Sequence, residues 1–282
     1  MSAEIIKGEK IAKEIEDKTK KKVEALAEKE VVPKLGVVYI GDNQSSQTYI
    51  NKKRDKANEL GIEFEVFSFP SEVTKKEIKQ ELKEIQNGDL DGLIVQLPVP
   101  NRLYPDILDL VKPDLDVDCL TSENLGKLVK HNSNFVPPTA GAIMEVLKQT
   151  GTELKGKNIT VVGTGILVGK PTAIILMNKE ATVTTCNEFT KNLKQKCLQA
   201  DIIISGVGKK HLINEEMISE GTTIVDAGID YDQGKAYGDV KKDEIKQKAD
   251  FITPTPGGIG PITVSKLLEN VALAAEYSLA SN

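Results

Sequence analysis

Two residue types that widen the choice of chemistry are nearly absent from this 282-residue chain: only Arg54 and Arg102 are arginine, and only His131 and His211 are histidine. So few histidines leave little room for histidine-rich metal sites or His-based hydrolytic triads, and no metal is expected. Acid–base work falls instead to Lys, Tyr, Asp or Glu. With 37 basic and 42 acidic residues the formal net charge is −5, without the basic footprint that counterion release requires of a general nucleic-acid binder. Cysteine is sparse too. Cys119, Cys186 and Cys197 form an odd trio with no CxxC spacing, which fits a reducing cytosol better than a disulfide framework. No apolar run approaches the roughly eighteen residues of a membrane span. The opening MSAEIIKGEKIAKEIEDK carries charges every few residues, unlike a secretory leader. The expectation is a cytoplasmic protein that meets neither membrane nor nucleic acid.

What is present reads as α/β. At roughly 150 residues per domain the length fits two domains or one large unit. Ile11, Ile15, Val23 and Leu26 recur at helical spacing in a Lys- and Glu-rich first helix. LGVVYIG, FEVFSF and LIVQLPVP are strand-like runs separated by helical segments, and Thr74 and Glu77 have capping-box spacing. A second alternating series follows Pro138, with NITVVG, ATVTTC, DIIISGVG, TTIVDAG and DFITPTPG as its strands. A long final helix spans about Ile262 to Leu279. Continuous apolar runs of this kind are typical of buried parallel strands. The fold class is therefore α/β with two domains: an N-terminal α/β substrate domain and a C-terminal Rossmann-like doubly wound parallel sheet, with a cleft between them.

NITVVG runs into Gly163-Thr164-Gly165-Ile166-Leu167-Val168-Gly169 and then a helical PTAIILMNK. Strand, glycine turn and helix in that order let backbone approach a pyrophosphate and aim a helix N-terminus at it. The third glycine stands one place later than in GxGxxG. The turn alone is either a nucleotide site or an ordinary tight turn; its place in a βαβ series favours the first. Glu188, just past the next strand, is either a solvated loop residue or a partner for the ribose hydroxyls of NAD, and it would repel the extra phosphate of NADP.

In SQTYINKKRDK, Tyr49 and Lys53 share one helical face, with Lys52 pointing elsewhere. The pair is either a surface contact or a stacking ring beside a proton-transferring lysine of lowered pKa. Gln96 interrupts the apolar LIVQLPVP; as a buried amide it needs partners, a lysine or a loop. Asp114, Asp116 and Asp118 alternate, but Cys119 and Leu125 stand where a calcium loop needs Gly and Glu.

Taken together, GDNQSSQTYINKK, GLIVQLPVP, the DVD segment, the GxGxxVGKP turn and TPTPGGIGPITVSKLLEN resemble the methylenetetrahydrofolate dehydrogenase/methenyltetrahydrofolate cyclohydrolase (FolD) family of one-carbon metabolism, in order over nearly the whole chain. The resemblance implies a folate-binding catalytic domain over 1–137, joined by the C-terminal helix 262–282, and a Rossmann dinucleotide-binding domain over 138–261. It implies oxidation of 5,10-methylenetetrahydrofolate with NAD(P)+ and hydrolysis of the methenyl product to 10-formyltetrahydrofolate, in a homodimer paired through the Rossmann domain. Hydrolysis alone, with a degenerate dinucleotide pocket, is the alternative. Lys53 matches the family's catalytic lysine, with Gln96 positioning it, Tyr49 stacking on the folate and Asp118 binding the pterin. Gly257, Gly258 and Pro261, with Gly260, match its ligand-approach loop. Gly163, Thr164, Gly165, Glu188 and Ile229 form the implied cofactor set. Two departures stand out. Thr164 and Gly165 replace the family's usual Arg-Ser pair, and PDLDVDC replaces PEKDVDG. NADP is the family habit; Thr164, Gly165 and Glu188 favour NAD.

Overall fold

The computed structural model describes residues 2–281, and these divide into two compact units. In chain order the elements begin β1 (Glu4–Ile5), α1 (Gly8–Ala27), β2 (Lys34–Ile40), α2 (Gln44–Leu60), β3 (Glu63–Phe69), α3 (Lys75–Ile85) and β4 (Gly92–Val95). They continue with α4 (Ser122–Val129), α5 (Pro138–Gln149), β5 (Asn158–Val162), α6 (Gly169–Asn178), β6 (Thr182–Cys186), α7 (Leu193–Leu198) and β7 (Ile202–Ser205). The last are β8 (Thr223–Asp226), β9 (Asp230–Asp232), β10 (Lys235–Tyr237), α8 (Lys242–Ile245), β11 (Phe251–Ile252) and α9 (Ile259–Ser281).

One unit comprises Lys13–Lys127, Ser133–Pro138 and residues 264–281, and contains a three-stranded sheet in the order β3-β2-β4, parallel throughout. The continuous apolar runs explain why these strands are central: all four residues of β4 are buried, as are the last six of β2. α2 is bounded at both ends. Asn43 accepts a hydrogen bond from the Ser46 N–H, and Gly61 closes the helix in the left-handed region at φ +79°. The Thr74–Glu77 capping box at the start of α3 has both of its reciprocal bonds. Leu267, Leu268 and Val271 of α9 complete a core with Leu35, Val37, Ile94 and Val117.

The other unit comprises residues 2–12, Leu128–Asn132 and Thr139–Thr263. Its six strands, in the order β1-β11-β8-β7-β5-β6, are parallel at every pairing, and β9 and β10 form a separate antiparallel hairpin. Its core gathers Val162, Ile203, Ile224, Ile252 and Ile245 with Ala3. The expected 1–137 domain thus loses its first segment to this unit. Glu4 and Ile5 pair with Phe251 and Ile252, and the Gly8 N–H donates to the Gly257 carbonyl. Backbone pairing of a two-residue strand leaves no periodicity in the sequence. Among the described residues no helix is long and apolar enough to cross a membrane.

Candidate active site

In the three-stranded unit β3 and β4 flank β2 on opposite sides, so the chain reverses its winding at the carboxyl end of β2. Open α/β sheets bind ligands at such a point, and α2 starts there. Ser46, Ile50, Ala57 and Leu60 are the buried residues of α2. Their spacing leaves one intervening place on the same stripe, residue 53, and it is a lysine.

Lys53 Nζ donates to Gln96 Oε1 at 3.0 Å. Gln96 lies immediately past β4, where its backbone N–H donates to the Val38 carbonyl and its Nε2 donates to the Leu97 carbonyl at 2.8 Å. With the amide nitrogen engaged, the oxygen is the end turned to the amine. Burial pushes the Lys53 pKa below the ordinary amine value, against the opposing pull of Asp118. Burial likewise pushes Asp118 up to about 6, an effect that Lys53 reduces and Asp116 reinforces. Tyr49, one turn before Lys53, is half-buried. Lys52 does not point elsewhere as expected: its Nζ lies 5.6 Å from the centroid of the Tyr49 ring, because a long flexible stem can curl back over the preceding turn.

The three alternating aspartates have separate environments. Asp114 is exposed, whereas Asp116 is buried and accepts from the Leu120 and Thr121 N–H groups and from Asn124 Nδ2. Asp116 therefore shapes the loop that carries Asp118. A second support was not singled out in the sequence: buried Asn270 of α9 donates to the Val117 and Val136 carbonyls at 2.8 and 2.9 Å. Its signal is a single amide beside the apolar Leu267, Leu268 and Val271 of the final helix. Cys119 occupies the left-handed region at φ +57°, a conformation suited to the glycine of PEKDVDG.

The titration of this cluster gives a checkable pH dependence. Asp118 keeps its proton up to about pH 6, so activity that needs its carboxylate should fall as the pH drops through that value. Asp118→Asn should remove this limb from the pH–rate profile, whatever it does to the maximal rate; an unchanged limb assigns the titration to another group. The stability sign is opposite. The folded chain holds this proton more tightly than the unfolded one, so the contribution is present below about pH 4 and is lost as the pH rises through about 6.

The six-stranded unit holds the other candidate residues. β5 lies between β7 and β6, so this sheet also reverses its winding, at the carboxyl end of β5. Gly163 is there, in the left-handed region at φ +103°. A Cβ on Gly169 would stand 1.9 Å from the Gly163 carbonyl oxygen, so the later glycine is the one that lets α6 close onto the turn. No side chain caps α6, but Pro171 has no N–H and the Lys170 and Thr172 N–H groups donate to the Gly165 and Val168 carbonyls, so anion binding at this start rests on the Gly169 N–H and the helix dipole. Thr164 is half-buried, Gly165 is exposed, and a Cβ on Gly165 would meet nothing within 4 Å. Glu188 is exposed just past β6, and half-buried Ile229 follows β8.

Gly257, Gly258 and Pro261 follow β11 in this same unit, so they share its strand-end edge with the glycine turn. The Gly258 carbonyl is packed against Gly8, where a Cβ would stand 1.8 Å from its oxygen. The structure thus brings Lys53, Gln96 and Asp118 together in one unit. It gathers Gly163, Thr164, Gly165, Glu188 and Ile229 at one edge of the sheet in the other.

Comparison with known proteins covers both units. Residues 6–118 match the family model described as tetrahydrofolate dehydrogenase/cyclohydrolase, catalytic domain, and residues 137–279 match its NAD(P)-binding domain. A Bacillus velezensis protein named bifunctional protein FolD is 39% identical over 282 residues, covering 99% of this chain and 100% of that one. The Campylobacter jejuni bifunctional enzyme FolD superposes with a TM-score of 0.94 at 34% identity, over 98% of this chain and 100% of that one. A Trypanosoma brucei methylenetetrahydrofolate dehydrogenase-cyclohydrolase, solved with NADP cofactor and an inhibitor, gives a TM-score of 0.94 at 33% identity over 99% of each chain. With its glycine turn at one sheet's switch point, its Lys53–Gln96 pair at the other's and family matches over both units, this chain belongs to the tetrahydrofolate dehydrogenase/cyclohydrolase family.

Proposed function

We propose that the chain oxidises 5,10-methylenetetrahydrofolate to the methenyl form with a nicotinamide dinucleotide and hydrolyses the methenyl form to 10-formyltetrahydrofolate. The observation that carries this is the half-buried amine of Lys53, oriented by Gln96 and adjoined by Asp118. A bound dinucleotide would accept the hydride from the methylene carbon. The residues of the chain then serve the hydrolytic half. Water adds to the methenyl carbon and loses a proton, which a neutral Lys53 takes at Nζ. The same proton is returned to the ring nitrogen as its bond to that carbon breaks, and the hydroxyl proton of the adduct leaves to solvent as the formyl C=O forms. A lysine whose pKa burial lowers from the ordinary amine value suits proton transfer in both directions. Tyr49 stacks on the folate, and the Asp118 carboxylate accepts from the pterin amino and ring N–H groups.

The strand-end residues fit a dinucleotide: the turn admits close backbone approach, and the Gly169 N–H with the positive end of the α6 dipole can receive its pyrophosphate. This supports retention of both activities over hydrolysis alone. It also supports NAD over NADP. No arginine follows Arg102, so a 2′-phosphate has no bidentate partner in this unit. Lys170 and Lys191 are exposed point charges, and Glu188 is placed to accept from ribose hydroxyls. We place the enzyme in the cytoplasm, as a homodimer through this unit.

A spectrophotometric assay with methylenetetrahydrofolate and each dinucleotide tests the reading, and no turnover with either overturns it. A repulsion between exposed, solvent-screened charges is worth up to about 1 kcal/mol, or about fivefold. NAD should therefore exceed NADP in kcat/KM by about that factor, and Glu188→Gln should narrow the gap. A strong NADP preference would assign the phosphate to lysine or backbone groups.

A further inference from the structure

Two carboxylates with no part in this chemistry lie inside the six-stranded unit. Asp226, the last residue of β8, is 2% exposed, and Asp239 is 0% exposed. Buried carboxylates are costly unless their oxygens are satisfied, and six donors satisfy these two. Asp226 accepts from the N–H groups of Gly228, Asp239 and Val240 at 3.1, 3.2 and 3.1 Å. Asp239 accepts from the Ser205 hydroxyl and the Val207 and Lys209 N–H groups, each at 2.7 Å. Side chains are excluded around both: a Cβ on Gly228 would stand 2.1 Å from the Asp239 carboxyl carbon, and one on Gly238 would stand 1.8 Å from Asp226 Oδ2. Burial and the charge of Asp239 push Asp226 up to about 7, so the arrangement is kept against an electrostatic cost.

The donors say what that cost secures. Ser205 ends β7, and Val207 and Lys209 lie in the loop beyond it; Gly228 lies in the loop beyond β8. The loop after β7 packs on the glycine turn, since a Cβ on Gly163 would stand 2.8 Å from the Gly206 oxygen and one on Gly206 2.5 Å from Val168 Cγ1. It also abuts the other loop, where a Cβ on Gly208 would stand 3.1 Å from the Ile229 oxygen. We propose that Asp226 and Asp239 are positioning residues for the dinucleotide: the pair locks the loops after β7 and β8 against the glycine turn, fixing the strand-end surface on which the dinucleotide lies. This rests on the assignment of that surface under the proposed function. Asp239 suits the task because both of its carboxyl oxygens accept, whereas an amide would turn its NH2 toward one of the donors.

The test uses the full chain and measures both activities on each preparation. Asp239→Asn should raise the KM for the dinucleotide at least tenfold and weaken its affinity by calorimetric titration to the same degree, with hydrolysis of the methenyl form held within twofold. Ser205→Ala, which removes one donor and leaves the carboxylate, should shift the same KM about threefold and keeps the test open if Asp239→Asn does not fold. An unchanged dinucleotide KM in a variant whose melting temperature falls, or an equal loss of both activities, overturns the proposal by making the pair merely structural. Absence of dinucleotide turnover in the unmodified chain is a different failure: it removes the assigned surface itself, and this proposal with it.

Discussion

Lys53→Met is expected to slow hydrolysis of the methenyl form by about 10²–10⁴-fold, the range that positioned proton transfer contributes. Methionine suits the place because residue 53 lies on the buried stripe of α2 between Ile50 and Ala57, so an apolar chain of similar length preserves packing while removing the amine. Lys53→Arg should not rescue the rate, because a guanidinium stays protonated and cannot take up the proton from water. Gln96→Leu should have an intermediate effect, since it leaves the amine but removes the acceptor that orients it. Stopped-flow loss of methenyl absorbance reads all three. A fall of less than threefold in Lys53→Met would take Lys53 out of the proton path.

The second large effect is structural and lies in the glycine turn. Gly169→Ala puts a Cβ 1.9 Å from the Gly163 oxygen and 2.7 Å from its carbonyl carbon. Both neighbours are backbone, so no rotamer change can relieve the contact and α6 itself must move. A destabilisation of at least about 3 kcal/mol is expected, at the upper end of overpacking costs. Gly165→Ala, four residues earlier in the same turn, meets nothing within 4 Å and should cost no more than about 0.5 kcal/mol. Urea unfolding of the two variants side by side makes the comparison. Equal stability of the two would mean that α6 shifts freely and that Gly169 does not set its approach.

Much of the architecture was legible because parallel strands are buried on both faces and so appear as uninterrupted apolar runs, as in GLIV, IIIS and TIVD. Lys53 was legible as a candidate from its spacing to Tyr49. The stronger physical signal is that it stands among Ser46, Ile50, Ala57 and Leu60 on the inward stripe, a place where an amine is expensive. What stayed hidden depends on partners far along the chain. Asp116 and Asp118 share an alternating pattern, and only Thr121 and Asn124 make one of them a loop clamp. Asn270 contacts carbonyls more than a hundred residues before it. Asp226 and Asp239 look like surface acids until Ser205, Val207 and Lys209 surround the latter. The glycine turn was half legible: its place after β5 was read, but only the structure shows that Gly169, one position later than the usual motif puts it, works by helix closure.

The pairing of β1 with β11 sets a timetable for the chain as it is made. Ile5 is joined to Ile252, and the core of the three-stranded unit needs Leu267, Leu268 and Val271. At roughly 5–20 residues per second, the interval between Ile5 and its partner strand is on the order of ten to fifty seconds. Throughout that interval β1 has no neighbour in its sheet, and the substrate unit waits longer still for α9. The core of that unit therefore stays incomplete until Leu267, Leu268 and Val271 have been made. The earliest strand of one sheet and the first strands of the other thus wait on segments more than 180 residues later in the chain.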